Sequence, residues 1–152
     1  MSTAFWTSNM SLCGQGVRTT NVTINQAMME IIAGASSRLA VLELGMINAT
    51  AVGLTIGLGR PAAIGITPTT PSLLQRMDPA DTACVGATAL AWGTSPTSPV
   101  FFMRRFTFPA AIGMGVVWTW PKGLMIPTNG SVVLWNISAT QASDVNIAAE
   151  DL

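Results

Sequence analysis

The chain is predicted to fold as an all-β protein, an antiparallel β-sandwich of jelly-roll type with an irregular N-terminal arm. Three observations predict it. Short apolar runs recur along the chain, clusters of Gly, Pro, Ser and Asn break them at brief intervals, and no segment carries a sustained 3.6-residue period. The 152 residues suit one domain, large enough to bury roughly 70% of its unfolded surface without help from a metal or crosslink. We divide it into an arm at 1–20 and a single sandwich domain at 21–152.

Taken in order, residues 1–20 are polar and aperiodic, with Gly14 and Gly16 interrupting any regular element. The segment "VTINQAMMEIIA" follows, then "RLAVLELGMI", separated by "GASS", and the pair reads as a hairpin. Met28 to Ile32 has helix formers enough for a helical alternative, but the flanking Val, Thr and Ile favour a strand. In the second run Leu39, Val41 and Ile47 share one face and Leu42, Leu44 and Met46 the other, so it is expected to be covered on both sides. Glu43 then needs a partner.

The stretch "TAVGLTIGLG" alternates strictly. Val52, Leu54, Ile56 and Leu58 share a face, while Gly53, Thr55, Gly57 and Gly59 leave the other almost without side chains. A glycine face of this kind implies that another backbone, sheet or subunit lies close against it. A long irregular region, about 60–83, contains Pro61, Pro68, Pro71 and Pro79. Connections of that length are commonly functional. The later strands are "CVGATALAW", "VFFMRRFTF", "GVVWTW", "SVVLWNIS" and "SDVNIAA".

Composition excludes much chemistry. With no histidine, a Ser-His-Asp triad, a Cys-His pair and a His-ligated zinc site are all ruled out. Asp78 and Asp81 flank Pro79 and read as turn residues rather than as an acid/base pair. The only lysine, Lys122, sits in "WPKGL" and belongs to no phosphate loop. We therefore expect no enzyme activity, no catalytic residue, no cofactor and no metal. Seven basic and seven acidic residues give zero net charge, which argues against nucleic acid as partner. No apolar run reaches the ~18 residues that would span a membrane. The start, "MSTAFWTSNMSL", lacks the basic flank and long apolar core of a secretory leader. Neither Cys13 nor Cys84 belongs to a Cys-x-x-Cys pair; we read them as separate thiols, a disulfide between them being the alternative.

What remains is contact. A 49% hydrophobic share, nine Met, five Trp and few charges favour extensive interfaces. Arg104 and Arg105 lie within an aromatic strand and, being adjacent, point to opposite faces, each suited to an ion pair within or between subunits. Trp118 and Trp120 share a face; such indoles serve as core or interface anchors, with a glycan platform as the less frequent use. The candidate interface residues are Phe5, Trp6 and Arg18 in the arm, Gly57 on the glycine face, Arg60 and Arg76 in the long loop, and Arg104, Arg105 and Trp120 on later strands.

The stretches "LELGMINATAVGLTIGLGRPAAIGITPT", "ATALAWGTSPTSPVFFMRRFTFPAAIGMGVVWTWPKGLMIP" and "SVVLWNIS" resemble the small cement or decoration proteins encoded among the head genes of tailed bacteriophages. The similarity is one of pattern over roughly residues 35–140, without a diagnostic motif. It implies a β-rich homotrimer, made in the bacterial host cytoplasm, that binds the major capsid protein and sits on the outer capsid surface of the virion. The chain departs from that pattern in lacking acidic character. A tail- or fibre-associated receptor-binding module and the major shell protein of a small jelly-roll particle are the competing expectations.

Overall fold

A computed structural model describes residues 11–20, 23, 25–69 and 71–152. In chain order the strands are β1 (Ser11–Thr19), β2 (Ala27–Ile32), β3 (Leu39–Asn48), β4 (Leu54–Gly59), β5 (Ile66–Pro68), β6 (Ser72–Leu73), β7 (Gln75–Arg76), β8 (Ala87–Ala89), β9 (Trp92–Thr94), β10 (Arg104–Phe108), β11 (Gly115–Ile126), β12 (Ser131–Asn136) and β13 (Ser143–Asp151). They form a five-stranded sheet, β11-β3-β13-β1-β7, a six-stranded sheet, β10-β4-β12-β2-β8-β6, and a small pair, β5-β9. Every ladder is antiparallel. The two large sheets share one apolar cluster: Leu44, Met46, Val145 and Ile147 from the first meet Met29, Ile56, Leu58 and Leu134 from the second. The protein is an antiparallel β-sandwich, as its composition and alternation predict.

Four local expectations are corrected. Ser11 to Thr19, expected in an irregular arm, form a strand that pairs with β13, with a register shift between Gln15 and Arg18, and with β7 at Cys13 and Gly14. Hydrogen bonding to both neighbours outweighs the weak strand propensity of two glycines; residues 1–10 lie outside the described set. The runs around "GASS" are strands, but β2 and β3 belong to different sheets, so the turn carries the chain across the sandwich instead of closing a hairpin. In β3 the faces switch midway. The register shift that places Glu43 opposite Ala148 and Val41 opposite Ala149 leaves one residue over, and Leu39, Val41, Leu44 and Met46 all reach the core while Ile47 is exposed. Finally, the region 60–83 is irregular only in part: three short strands interrupt it, β5 pairing with β9, β6 with β8 and β7 with β1.

The six-stranded sheet is covered on both faces. One row across it, Ala89, Glu30, Val133 and Gly59, points away from the shared core yet is fully buried. The cover comes from the segment 60–103. An added Cβ on Gly57 would strike the Phe102 ring, and one on Gly59 would lie 2.5 Å from Pro99 Cβ and 2.8 Å from the Phe101 carbonyl oxygen. The glycine face of β4 therefore exists because the chain folds back over it.

Candidate functional site

The charged and aromatic residues gather unevenly. Arg104 pairs with Leu58 and Arg105 with Gly57 across the β10–β4 ladder, so Arg105 lies on the outer, covered side of the sheet and Arg104 on the side of the core, at the open end of the strand. Both are exposed, and among the described residues neither guanidinium makes a hydrogen bond or an ion pair. Arg60 directly follows β4, and its guanidinium donates to the Met125 carbonyl at 2.7 Å, which ties it to the end of β11. Lys122, exposed in the irregular part of β11 a few residues earlier, adds a fourth cation to this end.

Immediately before Arg104 the covering segment presents Val100, 90% exposed, and Phe101, 69% exposed. No Asp or Glu occurs between Asp81 and Asp144. The carboxylates therefore lie on other elements: Asp144 and Glu150 on the outward row of β13 and Glu43 on the outward row of β3. β10 is the free edge of its sheet, and its cations are the kind of charge that keeps edges from pairing indiscriminately. What results is an apolar tip rimmed by unpaired positive charge, suited to an acidic protein surface with a recess for an aromatic ring.

Of the nine interface candidates, Gly57, Arg60, Arg104 and Arg105 come together here, although Gly57 is buried beneath Phe102 and serves as the floor of the cover, not as a contact for another subunit. Arg18 is elsewhere: its guanidinium donates to the Thr88 carbonyl at 2.9 Å and to its hydroxyl at 2.8 Å, linking β1 to β8, and burial lowers its pKa from the ordinary value. Arg76 donates to the Asp81 carbonyl at 2.8 Å. Trp120 packs half-buried against the core. Phe5 and Trp6 lie outside the described residues. Sequence reasoning missed Lys122, Val100 and Phe101. The readable signal was the long carboxylate-free interval, which leaves every cation inside it without a local partner.

Three other places gather polar or charged groups. Over the five-stranded sheet lies an open depression of roughly 460 Å³, floored by Gly14, Gly16 and Ala148 and walled by Glu43 and Arg76. The partner sought for Glu43 is thus absent among the described residues, and the depression holds no aromatic platform. The second place is the buried carboxylate of Glu30, which accepts from the Ser131 hydroxyl at 2.6 Å, the Gly65 amide at 3.1 Å and the Trp92 indole at 2.7 Å. It is an internal clamp, and it turns the polar end of Trp92 inward. The third is Cys13, Cys84 and Asp151, the grouping of possible metal ligands among the described residues. Here the reading of separate thiols is corrected: Cys13 and Cys84 form a disulfide, with Cα atoms 6.1 Å apart, because the strand at β1 carries Cys13 beneath the 77–86 connection. Asp151 beside it accepts from the Val85 amide at 2.6 Å and the Gly86 amide at 3.4 Å, so its charge is satisfied by backbone.

No family model, curated protein or solved structure matches the chain.

Proposed function

We propose that the protein is a structural subunit that docks on the outer face of an assembled protein shell and stabilises it, as the cement proteins of phage heads do. The observation that carries this reading is the edge where Arg104 and Arg105 follow the exposed Val100 and Phe101, with Arg60 and Lys122 towards the same end and no Asp or Glu between Asp81 and Asp144. The exposed apolar tip is unfavourable to leave in water, and the cationic charge beside it is complementary to an acidic lattice. The mechanism is linkage: a protein that binds only the closed lattice shifts assembly towards it. The occupied indole of Trp92 and the half-buried Trp120 give a glycan-reading module no comparable support.

The test is binding to purified shells stripped of the protein. Reversing both charges, Arg104→Glu with Arg105→Glu, is expected to weaken binding at least tenfold, about 1.4 kcal/mol, and added salt to weaken the parent in the same direction. Both residues are exposed, so the melting temperature should hold. Quantitative mass spectrometry of intact particles supplies the second arm: a few copies per particle would place the protein at a tail or vertex and sink the proposal.

A further inference from the structure

β11 is the free edge of the five-stranded sheet, and its first half is unguarded. The Asn48 amide donates to the Met114 carbonyl at 2.7 Å. Alternation along an antiparallel ladder then turns the backbone groups of Val116 and Trp118 towards β3 and those of Gly115, Val117 and Thr119 away from it, into open space. None of these outward groups has a backbone partner among the described residues. Natural edges are protected by charge, proline or irregularity. Here Pro121 and Lys122 supply all three, but only beyond Thr119, where the register with β3 breaks.

The surroundings of that half are largely apolar, and the nearest charges are carboxylates, Glu43 opposite Thr119 and Asp144 opposite Ile47. Val117 is 59% exposed and Ile112 71%, with Met114, Ile47 and Val52 exposed beside them. Hydrogen bonds draw these residues to one end of the sandwich: the Gly113 amide donates to the Asn48 carbonyl at 2.9 Å, and Asn48 Nδ2 to the carbonyls of Val52 at 3.0 Å and Pro109 at 3.1 Å. The same side of the molecule is thus divided lengthwise. Arg60, Arg104, Arg105 and Lys122 occupy one end, and an apolar surface without cations, with Glu43 and Asp144 at its margin, occupies the other.

We propose that two copies of this chain pair edge to edge through Gly115 to Thr119 of β11, antiparallel about a two-fold axis at Val117, joining their five-stranded sheets into one. In that register Val117 faces its own mate and Gly115 faces Thr119 of the second copy, so each outward residue exchanges both backbone bonds. Charge selects the arrangement. An antiparallel pair overlays the two apolar ends and sends the cationic ends in opposite directions, whereas a parallel pair would bring them together. The segment also matches itself without any partner of special chemistry, which is why the occupant is a second copy. This inference stands apart from shell binding and replaces the threefold ring implied by the resemblance with a two-fold contact.

Light scattering on the full chain tests it. The parent is expected at twice 15.9 kDa at high micromolar concentration. Val117→Pro removes an outward N–H that no described residue uses, and Val117→Lys adds a cation beside its symmetry mate; each is expected to run at monomer mass with the parent's circular dichroism. Val117→Cys is expected to give a covalent dimer on mild oxidation, because only residues on the axis meet their own copies at crosslinking distance. A parent that is monomeric or trimeric, a Val117→Lys protein still dimeric, or a Val117→Cys dimer that fails to crosslink would each overturn the proposal.

Discussion

Single carboxylates show how a residue's sequence setting differs from its environment in the fold. Glu30 lies in the apolar run "MMEII" and Glu43 in "VLELG", two settings that look alike. Glu43 faces outward over an open depression, whereas Glu30 is wholly buried and makes three hydrogen bonds, all as acceptor. A carboxylate satisfies such a ring of donors, and an amide of the same shape does not, because its NH₂ group would confront another donor. Glu30→Gln is therefore expected to cost about 1–3 kcal/mol in a urea melt, the penalty of a buried donor left unmade. The loss should be accompanied by freer movement of Trp92, seen as a change in its fluorescence, since the indole loses its acceptor. An unchanged melt would mean that water replaces the missing bonds.

At the scale of the element, β4 answers why a strand should carry glycine on one face. Its alternation was legible, and so was the inference of close cover, because a two-residue period assigns faces without any knowledge of neighbours. What covered it was not legible. Phe102 and Pro99 are forty or more residues away in sequence, and no local pattern links them to Gly57 and Gly59. The same limit explains the mistaken hairpin: "GASS" marks a turn correctly, but turn chemistry does not say whether the next strand joins the same sheet or crosses to the other. The face switch in β3 escaped for a related reason, since a bulge is set by the partner strand's register. Gly57→Val and Gly59→Ala separate soft from rigid cover. At Gly57 the obstacle is a half-buried side chain, and the substitution is expected to cost about 1–3 kcal/mol by displacing Phe102. At Gly59 the obstacles are a proline ring and a carbonyl oxygen, which yield less, so the smaller alanine should cost as much or more. Chemical melts of the two variants decide this; a Gly57→Val protein as stable as the parent would show that the cover lifts freely.

For the whole molecule, the sandwich and its disulfide divide the task of holding distant segments together. Shared apolar burial secures the two large sheets, but β7 pairs through only Gln75 and Arg76, both exposed, and the 77–86 connection contributes little to the core apart from Cys84. The crosslink from Cys13 to Cys84 spans 71 residues and passes from β1 to that connection, which runs from β7, the edge of one sheet, to β8, next to the edge of the other. In the chain-entropy account, closing a loop of this length raises stability by about 4 kcal/mol, chiefly by restricting the unfolded chain. Reduction is accordingly expected to lower the melting temperature by about 8–16 °C for a domain of this size, with the β-sheet signature kept below the new midpoint because the shared core does not depend on the sulfurs. Cys84→Ser should reproduce the shift without reductant, and in that variant dithiothreitol should do nothing further. The position of the loss is also predicted: amides of 75–86 should exchange faster with solvent while those of β3, β4, β12 and β13 hold. A reduced protein that melts with the oxidised one would show that packing alone secures this edge, and a reduced protein without sheet structure would show that the core is too weak to stand uncrosslinked.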